Sequence, residues 1–267
     1  MSTAPKVDIV CTFLNAADTL PATLRGLAAQ SEAAIRIILI DDGSTDNSAE
    51  ITRSFGENDP RFVFAPSETR GRGHALNQGL RMGDAPMVAI MDADDVAHPK
   101  WIEDSLRLLD QDVSLAALSF ARIYIGPKEQ PAWDEKSQLP AAKAEDLSAT
   151  IGTKNPLPHS GACIRRSAIE AVGGYDITRK SHFDYNLWVR LVAAGLAIGR
   201  SPTLRVAKRY HADQKFARMP DYHWNTLQVQ LHAIRTASRH PMVDSARAFT
   251  AYGNSYARYL RRRFLPG

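Results

Sequence analysis

This sequence predicts an α/β fold, a mostly parallel central sheet flanked by helices, with a helical extension at the C-terminus. Three observations lead there. Short apolar, β-branched runs (Val7–Thr12, Ile35–Ile40 and Val88–Met91) alternate with stretches that carry apolar residues at helical spacing. The connections between them are short, as right-handed βαβ units around a parallel sheet require. Two of the runs end abruptly in carboxylates, Asp41-Asp42 and Asp92-Ala93-Asp94-Asp95. The carboxyl ends of parallel strands are where such sheets bind ligands.

In chain order, Val7–Thr12 reads as a first buried strand. Turn residues from Asn15 to Asp18 precede a helix whose stripe is Leu20, Leu24 and Leu27. Ile35–Ile40, a nearly continuous apolar run, fits a central parallel strand. Ser48–Phe55 follows as a helix and Arg61–Ala65 as a third strand. The Gly-rich loop Arg70-Gly71-Arg72-Gly73 leads into a helix over His74–Met82; its arginines and His74 read as a solvated basic loop within reach of a diphosphate. The strand ending at Met91 is followed by a helix from Pro99 to Leu109 and a strand over Leu115–Ile125.

Periodicity then fades. Residues 126–158 read as a long surface segment with a short helix over Ala144–Ile151, and Trp133 is a candidate sugar platform weighed against plain packing. Ser160–Ile164 resumes as a strand, Ser167–Val172 as a short helix stopped by Gly173-Gly174, and Phe183–Ala194 as an amphipathic helix. Thr203–Tyr210 is expected at the edge of the sheet. Two helices separated by His240-Pro241 complete the chain, with stripes at Trp224, Leu227, Leu231 and Ile234 and at Phe249, Tyr252, Tyr256 and Leu260. The expected division is a main domain over residues 1–215 and an extension over 216–267.

Composition narrows the function. The 267 residues are 44% hydrophobic and 23% charged, with a formal net charge of +4. Much of that excess sits at the end, in Arg258, Arg261, Arg262 and Arg263, so no general nucleic-acid footprint is expected. The extension should pack on the main domain or on a second copy; contact of its basic helix with an anionic membrane surface ranks next. Cys11 and Cys163 lie in apolar runs as buried reduced thiols, and neither a signal peptide nor a bilayer-spanning run is expected. The expected location is cytoplasmic, with the inner membrane face as the extension's point of contact.

The acidic ends carry the chemistry. Along extended chain Asp92 and Asp94 point to the same side, and two facing carboxylates at a strand end repel unless a cation joins them. Carboxylate ligands favour Mg²⁺ or Mn²⁺, ions that commonly hold substrate phosphates as well. The competing reading is a solvated acidic turn capping the next helix. Asp41 and Asp46 also suit turn or cap roles.

The ordered set of motifs resembles the family 2 glycosyltransferases, inverting enzymes of GT-A fold. The pieces are Val7–Asn15, Asp41-Asp42-Gly43-Ser44-Thr45-Asp46, Met91-Asp92-Ala93-Asp94-Asp95, Pro158-His159-Ser160-Gly161, Gly173-Gly174-Tyr175-Asp176 and Asp184-Tyr185-Asn186-Leu187-Trp188-Val189-Arg190. They span residues 5–215. The resemblance implies a nucleotide-diphospho-sugar donor, uridine-linked, and a carbohydrate or lipid-linked acceptor. By position, Thr12, Asn15 and Asp42 would hold the nucleoside, and Asp92 would lie near the ribose. Asp94 would bind the divalent cation with His211, and Ser160 and Gly161 would lie over the donor sugar. Asp184 would be the general base, its alternative being an N-cap carboxylate favoured by the helix dipole.

One position departs from the pattern. The family commonly carries Glu before that Asp, and here Phe183 stands there. This keeps alive a nucleotide-sugar-binding protein of the same fold with weak or no catalysis. A nucleotidyltransferase would want a Gly-rich basic loop straight after the first strand, which Asn15-Ala16-Ala17-Asp18 does not supply. A dehydrogenase would want Gly-x-Gly-x-x-Gly there, which is also missing.

Overall fold

The computed structural model describes residues 4–133, 140–210, 221–238 and 240–264. Its strands are β1 Val7–Phe13, β2 Ile35–Asp41, β3 Phe62–Pro66, β4 Met87–Ile90, β5 Val96–Ala97, β6 Leu115–Ile125, β7 Glu145–Asp146, β8 Ala162–Arg165 and β9 Ala197–Arg209. Its helices are α1 Leu20–Ala28, α2 Ser48–Asn58, α3 Arg72–Met82, α4 Trp101–Gln111, α5 Arg166–Ala171, α6 Phe183–Ala193, α7 Tyr222–Ala237 and α8 Pro241–Phe264. The strands join into one sheet in the order β3-β2-β1-β4-β8-β6-β9-β5, with β7 paired to β9.

The sheet has a parallel half and a mixed half. β3, β2, β1 and β4 run parallel, Val10 pairing with both Ile38 and Ile90. β8 then inserts antiparallel between β4 and β6, and β9 returns parallel to β6. Strand alternation divides the core. Ile9 and Cys11 of β1 and Ile37 and Leu39 of β2 face Leu20, Leu24 and Leu27 of α1 and Trp101 and Leu108 of α4. Val10, Val88 and Ile90 face the other way, onto Leu76 and Leu80 of α3 and Leu187, Trp188 and Leu191 of α6. Both cysteines are buried and unpaired, and burial pushes the Cys163 thiol up to about 12.

Two close contacts fix how the site-bearing elements sit. Gly79 of α3 lies against β1 so tightly that a methyl there would come within 2.5 Å of Val10 Cγ1. Gly161, just before β8, has φ +84, and a Cβ would come within 2.2 Å of Val206 on β9. At the opposite end of β1, buried Asp8 accepts from Arg36 Nε at 2.7 Å, Arg166 Nη2 at 2.6 Å and the Ala85 N–H at 2.8 Å. That cluster ties β1, β2 and α5 together and satisfies a carboxylate that would otherwise be costly to bury.

Two expectations are corrected. Ala144–Ile151 is not a helix: Glu145 and Asp146 pair with β9, and only a 3-10 turn, Ser148–Thr150, follows. The segment is short and the open side of β9 offers backbone partners, which outweighs helix propensity. Thr203–Tyr210 is not an edge strand, because β9 starts at Ala197 and is paired on both sides, by β6 and by β5 and β7. The two-residue β5 lies beyond it, too short to register as a periodic pattern. For Trp133 the packing reading holds over the platform: it packs beside Ile125 and Val96 with its ring 4.9 Å from His98.

The C-terminal hairpin packs inward through α7. Val229 and Ala233 join the α6 side of the core, while Leu227 and Ile234 meet Ala248 of α8. Trp224, Phe249 and Tyr256 of the expected stripes stay exposed. Among the described residues no helix is long and apolar enough to cross a membrane.

Candidate active site

Because β1, β2 and β4 are parallel neighbours, their carboxyl ends open on one edge of the sheet. The Asp42 and Asp92–Asp95 loops therefore meet there, as expected. The Asp42 N–H donates to Phe13 O at 2.8 Å, anchoring the β2 turn to the end of β1 beside Thr12. Asp41 caps that turn by accepting from the Gly43 and Ser44 N–H groups at 3.2 and 2.8 Å. Asn15, at φ 51, accepts from the Thr45 N–H at 2.8 Å and donates its own N–H to Ser44 Oγ. Its side-chain carbonyl thus clamps the two loops together. Asp46 accepts from Ala17 N and Ser48 N, a structural role.

Asp42 reaches the acidic cluster through the Gly-rich loop. Its Oδ1 accepts from the Gly71 N–H at 2.7 Å, and the next residue, Arg72, forms an ion pair with Asp92. The Arg72 guanidinium also lies 3.4 Å from His159 Nδ1, whose other nitrogen is 2.8 Å from the Tyr175 hydroxyl. Arg72 is therefore drawn into the site, and the solvated-loop expectation fails for it. Burial pushes the Asp92 carboxyl up, but Arg72, with His159 and Lys208, outweighs that and holds it at about 2. Burial beside Arg72 also drives His159 down to about 4, leaving it neutral near pH 7.

The three carboxylates converge by a route other than strand alternation. β4 stops at Ile90, and the Asp95 N–H donates to Asp92 O at 3.2 Å, closing a tight turn over residues 92–95. The turn brings carboxylate oxygens of Asp92, Asp94 and Asp95 within 4.8 Å of one another. Asp95 is fully buried: Oδ1 accepts from the Arg209 N–H, while Oδ2 has no hydrogen-bond donor among the described residues and faces Lys208 Nζ at 3.6 Å. Burial raises its carboxyl to about 7, with Lys208 opposing and Asp94 and Asp92 adding to the rise. A cluster of hard oxygen ligands at this spacing, one of them an unsatisfied buried oxygen, suits a divalent cation. His211, the other expected ligand, lies outside the described residues.

Ser160 and Gly161 close the site from the β8 side. Ser160 Oγ accepts from the Asp92 N–H at 3.2 Å, which fixes the turn's first residue. The Gly161 N–H donates to Ile90 O at 2.8 Å and its carbonyl accepts from Trp101 Nε1 at 2.9 Å. Gly161 is thus a structural hinge whose backbone is fully engaged. Asp184, in the first turn of α6, accepts from Asn155 Nδ2 at 2.7 Å. His182, the N-cap of α6, is left-handed at φ 56; its side chain makes no cap bond, and its carbonyl accepts from the Asn186 N–H at 3.0 Å.

Asp92, Asp184, Arg72, His159, Ser160 and Phe183 share a cavity of about 380 Å³. Phe183 is buried, and a Cβ added at Gly73 would lie 3.1 Å from its ring. It therefore supports the Arg72 loop from below. Sequence reasoning missed the engagement of Arg72, Lys208 and Asn155. Only the loop Arg70–Gly73 carried a signal, since Lys208 and Asn155 stand in unremarkable local contexts.

Comparison with known proteins accords with this geometry. Residues 8–173 match the model of glycosyl transferase family 2. Over 117 residues the chain is 32% identical to the uncharacterized glycosyltransferase YibD of Escherichia coli strain K12, covering 43% of this chain but 34% of that protein. Over 226 residues it is 26% identical to the amylovoran biosynthesis glycosyltransferase AmsE of Erwinia amylovora, covering 82% and 81%. The chain thus spans about a third of the one relative and most of the other. In fold it is similar to S. aureus TarS 1-349 in complex with UDP-GlcNAc, with TM-score 0.71 and 16% identity over 96% of this chain and 74% of that one. The mannosyltransferase PcManGT of Pyrobaculum calidifontis, in complex with GDP-Man and Mn2+, superposes with TM-score 0.68 and 15% identity over 99% and 76%. The family match takes in both acidic loops and the Ser160-Gly161 turn, and covers more than half of the residues: this chain belongs to glycosyl transferase family 2.

Proposed function

We propose that this family member moves a glycosyl group, with inversion, from a uridine-linked nucleotide-diphospho-sugar to an acceptor hydroxyl. Asp184 acts as the base. The observation that carries the reading is that Asp184 and the Asp92–Asp95 turn line or border one cavity at the carboxyl edge of the sheet, with the Asp42 loop joined to it through Gly71 and Arg72. Thr12 and Asp42 hold the nucleoside, and Asn15 sets the loop that positions them. Asp92 lies toward the ribose, Asp94 and His211 would hold the cation, and Ser160 and Gly161 shape the floor beneath the donor sugar. A bound Mn²⁺ or Mg²⁺ would stabilise charge on the departing diphosphate. As the acceptor oxygen bonds to the anomeric carbon and the bond to the diphosphate breaks, the acceptor proton passes to Asp184. Asn155 orients the carboxylate for that transfer.

UDP with Mn²⁺ is expected to raise the melting temperature more than either alone, by mass action on the folded state. Asp184→Asn should keep that shift and lose transfer by at least about a thousandfold. Transfer undiminished in Asp184→Asn would remove the base from its role. Phe183 favours a second reading, a donor-binding protein without catalysis, because it fills with apolar surface the place where the family carries Glu. Donor binding with neither transfer nor slow donor hydrolysis across a broad acceptor panel would favour that reading.

The similarity to an amylovoran biosynthesis glycosyltransferase supports a setting in polysaccharide synthesis, and the reading extends it to cell-surface polysaccharide or glycolipid made at the inner face of a membrane. Residues 216–267 serve as an appendage to the domain over 1–215. Their exposed Trp224 and Phe249 would meet a second copy or a lipid surface.

A further inference from the structure

Asp184 and the Asn155 that orients it are both tied to α7, a helix beyond residue 173, where the family match ends. Asn155 is exposed on a loop, so its hold on Asp184 at 2.7 Å is only as firm as that loop. Three buried side chains fix the loop by donating to its carbonyls. Two come from α6: Tyr185 Oη to Ile151 O at 2.6 Å and Trp188 Nε1 to Leu157 O at 3.1 Å. The third is Gln230 of α7, whose Nε2 donates to Thr153 O at 2.9 Å, two residues before Asn155.

On the other side, Asp184 follows His182 by two residues, and His182 holds a left-handed conformation that residues other than glycine adopt rarely. A closed run of hydrogen bonds to α7 keeps it there. His182 Nε2 lies 2.7 Å from Thr226 Oγ1, and Thr226 Oγ1 donates to Tyr222 O at 2.9 Å, so the ring nitrogen carries the proton between them. Nδ1 then accepts from Ser181 Oγ at 2.9 Å, and Ser181 Oγ accepts from Asn225 Nδ2 at 3.3 Å. A neutral histidine satisfies every donor in this run, and Tyr222, Asn225 and Thr226 all stand on α7. The Tyr222 ring lies 4.5 Å from the imidazole and joins Asp184 in lining the cavity.

We propose that Thr226 and Gln230 of α7 are positioning residues for the reaction. Thr226 sets the start of the helix that carries Asp184, and Gln230 sets the loop that carries Asn155. The proposal rests on the reading of Asp184 as base, and it gives the C-terminal hairpin a part in turnover through the aim of one carboxylate. Misaim lowers the rate and spares donor affinity, because the acidic turn and the Asp42 loop are held by other elements.

Turnover of the full chain, read as UDP released from UDP-glucose and from UDP-N-acetylglucosamine with Mn²⁺ and a broad acceptor panel, tests this. Thr226→Val and Gln230→Met should each lower kcat by at least about tenfold, while UDP affinity with Mn²⁺, by calorimetry, moves by less than about twofold. Thr226→Ser, which keeps the hydroxyl, should restore kcat to within about twofold of the unmodified protein. In an Asn155→Ala background Gln230→Met should lower kcat no further, since Gln230 acts through that side chain. Hydrogen exchange should quicken at the Asn186 amide, which donates to His182 O, in Thr226→Val, and at the Thr153 and Lys154 amides in Gln230→Met. Exchange or kcat unmoved in both variants overturns the proposal. So does a fall in UDP affinity as large as the fall in kcat, which marks a general loosening of the fold. Full turnover in Asp184→Asn removes the base and the role of α7 with it. Turnover lost in Asp184→Asn but kept in both α7 variants overturns the positioning role alone.

Discussion

At the residue scale the site is an arrangement of opposed charges in which one side chain holds the balance. Arg72 pairs with Asp92 and lies in the field of Asp184 and Asp94. Replacing it removes the cation paired with Asp92 from a cluster of carboxylates that face one another, and leaves Lys208 beside Asp95 to offset them. Arg72→Gln should therefore lower the melting temperature of the cation-free protein. It should also tighten Mn²⁺ binding in the absence of nucleotide by about tenfold, since a competing positive charge next to the cation site has gone. Calorimetry with Mn²⁺ alone reads this directly, and unchanged or weaker binding would show that Arg72 helps form the cation site. The residue types were legible in the sequence here, but their partners were not. Asp92 and Asp94 announced themselves by clustering at the end of an apolar run, and Phe183 by standing where a carboxylate is usual. Arg72 sits in a Gly-rich loop that reads as solvated, and nothing local says that the loop folds over Asp92.

At the scale of elements, α3 delivers Arg72 and must lie close to β1 to do so. Gly79 permits that approach, and Gly79→Ala would drive a methyl to 2.5 Å from Val10 Cγ1. Val10 is β-branched and held between β2 and β4, so it cannot swing away. The variant should lose on the order of 2 kcal/mol by urea unfolding, despite the better helix propensity of Ala. An equally stable variant would mean that the helix can shift, and with it Arg72. Helix and strand identities were legible because burial follows residue period, as in Leu20, Leu24 and Leu27 of α1. The short helix expected over Ala144–Ile151 was not there, since propensity in a short segment yields to backbone pairing that β9 offers.

Over the whole molecule, stability should fall in mild acid, and one buried histidine accounts for part of it. His98 is enclosed beside Trp133; its Nδ1 accepts from the Lys100 N–H at 3.1 Å and Nε2 has no hydrogen-bond partner among the described residues. Burial, with Arg205 nearby, pushes it from 6.5 down to about 4. The unfolded chain therefore binds a proton below about pH 6.5 that the folded chain refuses. The His98 contribution is complete above that pH and is lost progressively as the pH falls toward 4. His98→Asn should flatten this part of the profile by on the order of 2 kcal/mol between pH 7 and 4. The difference between the two profiles, from urea titrations at each pH, cancels titrations such as that of Asp95, whose raised carboxyl acts in the opposite sense. Identical profiles would place the acid sensitivity elsewhere.

The sequence by itself determined the alternation of strands and helices, which residues face the core, and the presence of two acidic strand ends on one edge. Those properties follow from local period and residue type, and parallel βαβ units place strand ends together without further information. The tertiary structure alone decided that β9 lies inside the sheet, that Arg209 and Lys208 reach Asp95 across 114 and 113 residues of chain, and that Phe183 props the Arg72 loop. It also decided that a turn, rather than an extended strand, gathers the three carboxylates. Contacts so distant in sequence depend on which surfaces pack together, and packing is a property of the assembled core that no local pattern encodes.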